Sequence, residues 1–364
     1  MKKVSLRFTP ARLTSNNLIL LLSASVVGAG VFTATADRAV ARELESGEVV
    51  LDLAQNVIVT DGEVTVNSDS ATVWQDSGNA LFLGNVIVLM DTLTGTSEYL
   101  EYLKDAGMVT MIGDVVLTDG ETVVEAEEVV YFRGSAKATA RENVIMTGPW
   151  FGRVEGQYAL YDRERGSLFV TVDPVLRRAE NGDSLTVTAD RLEFFLEDNS
   201  AEAQGNVLVS MPEMDFTSTS EYLRYFGDED RFELFGSPVL FFEEGDMSGD
   251  WMEILLESSG DPESVRIEGD ASGYFCDSGV DPPAETWFSS ERAFFSFEDS
   301  EPDSVMLTGF ASLTMKSGGE AASRDEMNTV RGNTFTITFE DGNATEVIVS
   351  GSVTGTYSYR GGDQ

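Results

Sequence analysis

The chain has 364 residues, of which 42 % are apolar, and its 63 Asp and Glu against 24 Lys and Arg give a formal net charge of −39. This charge excludes nucleic acid as a partner, because binding to phosphates requires clustered Lys and Arg. Histidine is absent and Cys276 is the single cysteine, which excludes a Ser-His-Asp triad, an intramolecular disulfide framework and a cysteine-based zinc cluster. The acidic composition fits adaptation to high salt, and it fits simple solubility through self-repulsion equally well.

Residues 1–36 have the pattern of a targeting segment. Four basic residues open the chain, an uncharged and mostly apolar run covers residues 18–32, and Ala34-Thr35-Ala36 forms a small-x-small cleavage site. The run is shorter than the ~20 residues that span a bilayer comfortably. We therefore expect an exported protein, with a cleaved signal peptide favoured over a retained membrane anchor.

From residue 49 onward a first short motif recurs ten times. It consists of a glycine or polar residue, then Asn or Asp, then Val, and its successive copies start 29 to 42 residues apart. The copies lie at residues 55–57, 84–86, 113–115, 142–144, 173–175, 205–207, 236–239, 269–271, 309–311 and 351–353.

A second motif keeps step with the first. It reads small, acidic or polar, x, apolar, x, aromatic or apolar, and it precedes the next glycine motif by 16 or 17 residues in six units and by 19 or 20 in three. Its copies lie at residues 68–73, 97–102, 126–131, 156–161, 189–194, 220–225, 249–254, 290–295 and 332–337. Two motifs that recur in step over nine units indicate a repeat architecture.

The apolar residues within each motif alternate with period two, which is typical of β-strands. Val, Ile, Thr, Tyr and Phe fill the runs, and Gly, Asn, Asp and Ser separate them. We therefore predict an all-β fold in which about nine two-strand repeats form two facing antiparallel sheets. The residues predicted to point inward are Val86, Val88, Leu100, Tyr102, Val115, Leu117, Val129, Tyr131, Val144, Met146, Ala159, Tyr161, Leu192, Phe194, Val207, Val209, Leu223 and Tyr225.

The array divides by regularity into two predicted regions. Regular repeats cover residues 37–245, and divergent repeats with longer turns continue the same array through residues 246–364. Terminal repeats are commonly atypical because they cap the array or meet a partner. Polar positions between the inward residues, such as Glu101, Glu193 and Arg224, are predicted to be solvated.

The paired motifs resemble those of the OstA-like family of lipopolysaccharide transport, which includes LptA, LptC and the N-terminal periplasmic domain of LptD. The segments at residues 80–103 and 185–209 carry the resemblance best. It implies a repetitive β-jellyroll, or β-taco, whose sheets open on an apolar groove lined by the eighteen inward residues. It also implies a periplasmic carrier that shields lipopolysaccharide acyl chains between the inner and outer membranes during outer-membrane assembly.

By the same resemblance, the partners are lipopolysaccharide or a related glycolipid and other β-jellyroll proteins, which join end to end by strand addition. These connect an inner-membrane ABC transporter complex to an outer-membrane translocon. No cofactor, metal or catalytic residue is predicted, and the chain is not expected to be an enzyme, because no phosphate loop or dinucleotide motif occurs.

Two other functions are compatible with the repeats. A structural or adhesive surface protein would have the same alternation with a filled core and no groove. A carbohydrate-active β-solenoid, the weaker alternative, would need only carboxylates with Arg or Tyr on one outer face.

Overall fold

The structure is a computed structural model that describes residues 33–60, 64–90, 93–149, 151–180, 183–212, 215–257, 262–277, 279, 281–298, 301–319, 326–340 and 343–358. Most of the predicted targeting segment therefore lies outside the described residues. No described residue belongs to an α-helix, and none lies in a helix long and apolar enough to cross a membrane.

The described chain is built from antiparallel strands, which confirms the predicted all-β fold. Twenty-six strands are described, more than two per repeat, because several are interrupted midway. In chain order they are β1 (Thr33–Thr35), β2 (Arg38–Glu43), β3 (Val49–Thr60), β4 (Thr65–Trp74), β5 (Ala80–Met90), β6 (Leu93–Leu103), β7 (Met108–Thr118), β8 (Val123–Phe132), β9 (Lys137–Gly148), β10 (Gly152–Asp162), β11 (Ser167–Thr171), β12 (Val175–Glu180), β13 (Asp183–Thr188), β14 (Arg191–Phe195), β15 (Ser200–Met211), β16 (Phe216–Phe226), β17 (Arg231–Phe235), β18 (Val239–Phe242), β19 (Gly245–Ser248), β20 (Trp251–Leu256), β21 (Pro262–Asp277), β22 (Ala284–Glu298), β23 (Glu301–Lys316), β24 (Met327–Glu340), β25 (Asn343–Ser350) and β26 (Thr354–Ser358).

The chain forms two compact units. The first, here the N-terminal unit, contains residues 11–177 and 191–199, and the second, the C-terminal unit, contains residues 178–190 and 200–364. The predicted division at residues 245 and 246 falls inside the C-terminal unit and stays a prediction. In each unit, consecutive strands pair as neighbouring antiparallel hairpins.

Each glycine motif forms a corner, at which two successive residues have positive φ angles. This left-handed conformation is costly for most residues and is tolerated best by Gly, Asn and Asp. The ten corners are residues 55–56, 84–85, 113–114, 142–143, 172–173, 205–206, 236–237, 269–270, 309–310 and 351–352. The motif predicted at residues 173–175 is thus displaced by one position, since its corner is formed by Val172 and Asp173.

At each corner the strand register shifts. On β5, Leu83 pairs with Tyr99 and Val86 with Ser97, so that Gly84 and Asn85 together lie opposite Glu98 alone. An extra residue of this kind is a β-bulge, which bends the strand and increases its twist. The bulges lie on alternate strands, such as β3, β5, β7 and β9, and each shifts the register against the strands on both sides. Because the bulges are aligned, the long strands bend at the same level, and the sheet is divided into two layers.

The two repeated motifs meet at the corner. A Cβ added to Gly84 would lie 2.5 Å from Oδ2 of Asp69, the acidic residue of the preceding motif. The side-chain amide of Asn85 donates a hydrogen bond of 2.8 Å to the same carboxylate. In the C-terminal unit, Asn206 donates to Asp190 in the same way, at 3.1 Å. This contact explains why each glycine motif follows an acidic or polar motif, and it is kept where the separation is longer, as between Asp250 and Gly269.

Three glycines of the N-terminal unit separate the contributions of backbone conformation and close packing. We expect Gly84→Ala to lower the free energy of unfolding by about 2–3 kcal/mol, since φ is +76° and Asp69 must move. Gly120 has φ +96° with open space around the new Cβ, so Gly120→Ala is expected to lower the free energy of unfolding by only about 1–2 kcal/mol. Gly134→Ala, with neither feature, is expected to be nearly neutral. Urea titration measures the three, and equal losses would contradict the role of the corner contact.

Candidate functional site

The candidate functional site is the inner apolar face of the two layers. On β7, Met111, Val115 and Leu117 are buried, whereas Ile112, between them in the alternation, is 38 % exposed. At the corner, Gly113 and Asp114 lie opposite the single residue Glu127, and buried residues continue on both sides of it, at Met111 and Val115. The long strand β7 therefore presents one apolar side to the interior on both sides of its corner.

The burial of the eighteen residues predicted to point inward can be compared with this pattern. Fifteen of them are buried, and Tyr102, Tyr161 and Tyr225 are half-buried. Each of these tyrosines occupies the sixth position of its motif, close to the hairpin turn that ends the strand. The face is therefore partly accessible beside the turns at these three tyrosines, whereas Tyr131 and Phe194, at the same position of their motifs, are buried.

Aromatic contacts bridge the two layers within each unit. In the N-terminal unit, Phe151 precedes the half of β10 that pairs with the end of β9, and its ring lies 5.6 Å from that of Phe194 in the other layer. In the C-terminal unit, Phe288 and Phe295 lie on either side of the bend in β22, and their rings are 5.8 Å apart. Such contacts fix the layers close together at these points.

The tyrosine hydroxyls provide polar groups at the margin of the inner face. The hydroxyl of Tyr225 donates a hydrogen bond of 3.3 Å to Oδ1 of Asp230 in the following turn. Burial, followed by the negative charge of Asp230, raises the pKa of Tyr225 above its ordinary value. Burial likewise raises the pKa of Tyr161. These phenols therefore stay neutral at physiological pH and act as hydrogen-bonding groups.

The sequence analysis missed an inward position that recurs two residues before the corner. Its members are all deeply buried and complete the face on the strands that precede each glycine motif. They are Leu53, Phe82, Met111, Ala140, Val170, Ala203, Leu234, Ile267 and Leu307. The residue two places before the glycine motif is apolar in nine of the ten copies, the exception being Thr171, so the same alternation, extended backwards from the motif, would have found most of them.

The prediction that Glu193 is solvated is wrong. This residue is buried beneath Arg191, whose guanidinium lies 2.5 Å from its carboxylate, and Arg165 lies 3.6 Å away. The Arg191 guanidinium also lies 4.4 Å from the centre of the Phe169 ring. Arg224 is partly buried and donates a hydrogen bond of 3.0 Å to Glu202. Both groups serve packing on the side of the sheet opposite the inner face.

The described residues form no cluster of three or more acidic or cysteine side chains that could hold a metal ion. The inner face consequently offers contacts with apolar surface, neutral hydroxyls and, at its margin, charged turns. Such a surface can hold an apolar molecule without any covalent step.

Comparison with known proteins bears on this face. Residues 35–137 match the family described as LptA/(LptD N-terminal domain) LPS transport protein. The family resemblance predicted from the repeated motifs is confirmed over this segment. It contains the first three corners and the inner residues from Val50 to Tyr131, and the same corner geometry continues beyond it to residues 351–352.

Among solved structures, the chain is similar to LptH from Pseudomonas aeruginosa, described as the LptA homologous periplasmic component of the conserved lipopolysaccharide transport device. The identity is 12 %, the match covers 49 % of this chain and 84 % of LptH, and the TM-score is 0.13. No curated protein matches the chain.

Removing the cation that covers Glu193 tests the buried ion pair. Arg191→Ala leaves a buried carboxylate without its nearest cation, and we expect the free energy of unfolding to fall by about 3 kcal/mol. Arg177→Ala, which removes a pair with the partly exposed Glu155, is expected to cost less than about 1 kcal/mol. Urea titrations of both variants measure the difference. Similar losses for the two variants would contradict the special role of Glu193.

Proposed function

We propose that the chain is a periplasmic carrier module that shields the acyl chains of lipopolysaccharide or a related glycolipid on its inner apolar face during transport between the two membranes. The observation that carries the proposal is the match of residues 35–137 to a lipopolysaccharide transport family, on a segment whose every long strand contributes to this face. The proposal includes no covalent step and no cofactor.

The physical basis of binding is the transfer of hydrocarbon from water to an apolar surface. Each buried methylene contributes about 0.8 kcal/mol, so that one acyl chain supplies substantial affinity without a specific polar contact. An inner face that repeats in every strand offers equivalent positions along the array. A lipid can therefore move stepwise between positions of similar free energy, with the direction of movement set by an energy source in a partner.

The exposed edge strands are evidence for partner proteins that bind by adding strands to the array. In β2 all six side chains are exposed, and the strand pairs with β3 on one side. At the other end, β26 is exposed throughout and pairs with β24. Exposed edges are templates for strand addition. We propose that they join other Lpt-type β-jellyroll proteins, linking an inner-membrane transporter complex to an outer-membrane translocon.

Export by the N-terminal segment places the carrier in the periplasm, and retention of that segment would anchor it to the inner membrane. Cleavage after Ala36 would remove β1, which pairs with the end of β3. Asp37 would be kept, and with it the hydrogen bond of 2.7 Å from Asn56 at the first corner. Cleavage is therefore compatible with an intact first repeat.

A filled-core structural or adhesive protein is the second candidate, and the deep burial of fifteen inward residues favours it. A ring contact such as Phe151 with Phe194 also occupies space between the layers. The two candidates differ in one property, which is whether a lipid chain gains access to the inner face.

Photo-crosslinking in cells separates the candidates. A photoreactive residue is placed at inward Val88, Leu100 and Tyr102, and the matched controls are the outward-facing Ile87, Leu89 and Ile112 of the same unit. Adducts with a glycolipid are expected from the inward set alone, because only that side would contact acyl chains.

The experiment has two unfavourable results. If no inward position gives an adduct while the variants stay folded by circular dichroism, the filled-core protein is correct and the carrier is wrong. If inward and outward positions give equal adducts, contact with lipid is unrelated to the inner face.

A further inference from the structure

Three neighbouring hairpin turns of the N-terminal unit are stacked into one rim at the accessible margin of the inner face. They are residues 104–107 between β6 and β7, 133–136 between β8 and β9, and 163–166 between β10 and β11. The amide of Arg133 donates a hydrogen bond of 2.8 Å to the carbonyl of Gly107, and that of Arg163 donates one of 3.2 Å to the carbonyl of Ala136. These bonds hold the three turns side by side.

The rim is basic in a strongly acidic chain. Its three turns contain four basic residues, at positions 104, 133, 163 and 165, and two acidic residues, Asp105 and Glu164. In the C-terminal unit, the turn between β16 and β17 contains three acidic residues, at positions 228–230, and no basic residue. The positive charge of the rim is therefore a local feature and not a property of these turns in general.

Three of the rim cations are available to a ligand. Lys104, Arg133 and Arg163 are exposed, and none of them forms an ion pair with any residue that the structure describes. Their neighbours differ, since Lys137 lies 3.0 Å from Asp162 and Arg165 lies 3.6 Å from Glu193. In a chain with this excess of carboxylates, three cations on neighbouring turns thus have no acidic partner among the described residues.

Each of these cations follows an inward tyrosine by two residues. Lys104 follows Tyr102, Arg133 follows Tyr131, and Arg163 follows Tyr161. Arg163 and Arg133 both act electrostatically on Tyr131, where they oppose the rise in its pKa that burial causes. Both guanidinium groups are therefore within electrostatic range of the Tyr131 hydroxyl at the end of the inner face.

We propose that Lys104, Arg133 and Arg163 bind the phosphate of an amphiphile whose acyl chain lies on the inner face beside the three tyrosines. Guanidinium groups match phosphate with paired hydrogen bonds, and Lys adds a compact positive charge. The tyrosine hydroxyls mark the level at which apolar surface changes to polar. This inference rests on the proposed carrier function and adds to it a position and a charge for the headgroup.

The test compares two amphiphiles that differ only in phosphate, lauroyl lysophosphatidic acid and monolaurin, each below its critical micelle concentration. Binding to the purified full chain is measured by titration calorimetry at low salt. Wild type is expected to bind the phosphate-bearing probe about tenfold more tightly. The triple variant Lys104→Gln, Arg133→Gln, Arg163→Gln is expected to lose this preference and to keep its affinity for monolaurin.

The matched control removes the same number of charges elsewhere. Arg266, Arg292 and Arg331 are exposed on strands of the C-terminal unit, away from any turn that carries a cluster of cations. Their replacement by Gln is expected to leave the preference for the phosphate-bearing probe unchanged. An equal loss in this control would assign the preference to total charge and overturn the rim as a site.

The remaining outcomes distinguish the rim from the carrier function. If wild type binds both probes equally, or if the rim variant keeps the preference, the rim is not a phosphate site, but the inner face still binds apolar chains as proposed. If neither probe binds, the proposed carrier function and the proposed phosphate site at the rim are both wrong. If inorganic phosphate alone binds wild type as tightly as the phosphate-bearing probe does, the rim is a site for free phosphate and the headgroup assignment is wrong.

Discussion

Two consecutive left-handed residues, repeated at the same level on alternate strands of the sheet, are the constraint on which this fold depends. Each such residue opposes the backbone preference of L-amino acids, at a cost of about 1–2 kcal/mol for residues other than glycine. Glycine at the first position and Asn or Asp at the second reduce that cost. The acidic side chain of the neighbouring strand then covers the glycine and, where Asn follows, accepts its hydrogen bond. The aligned bends divide a pleated sheet into two facing layers.

The conformation of a corner is kept even where its residues change. Val172 and Asp173 form the fifth corner without glycine, and Phe310 takes the second position of the ninth corner while 84 % exposed. The second corner side chain thus points away from the packed layers, so its type is restricted by backbone conformation and little by packing. Neighbouring strands impose the bend on a poor corner sequence because their hydrogen bonds are already aligned on both sides of it.

The repeats alone predicted the fold class, the positions of nine of the ten corners and the burial of fifteen of the eighteen residues expected to point inward, because each depends on short-range periodicity. Other features depend on contacts between units. Glu193 was predicted to be solvated since its motif position is polar, and only the structure brings Arg191 and Arg165 over it. The basic rim was missed for a related reason. Its cations are about 30 residues apart in sequence and become neighbours only when the turns stack.

The arrangement of charge bears on whether so acidic a chain can hold an anionic lipid. The corner acids and the rim cations lie at opposite ends of the same half-strand, as Glu98 and Lys104 do on β6 and the turn that follows it. Six residues of extended strand separate them by ~20 Å. This exceeds twice the Debye length of ~8 Å at physiological ionic strength, so a phosphate at the rim is screened from the corner carboxylates. The nearest unscreened charges are then those of the rim itself, whose four cations outnumber the two carboxylates of Asp105 and Glu164, and the net charge of the chain ceases to decide the interaction.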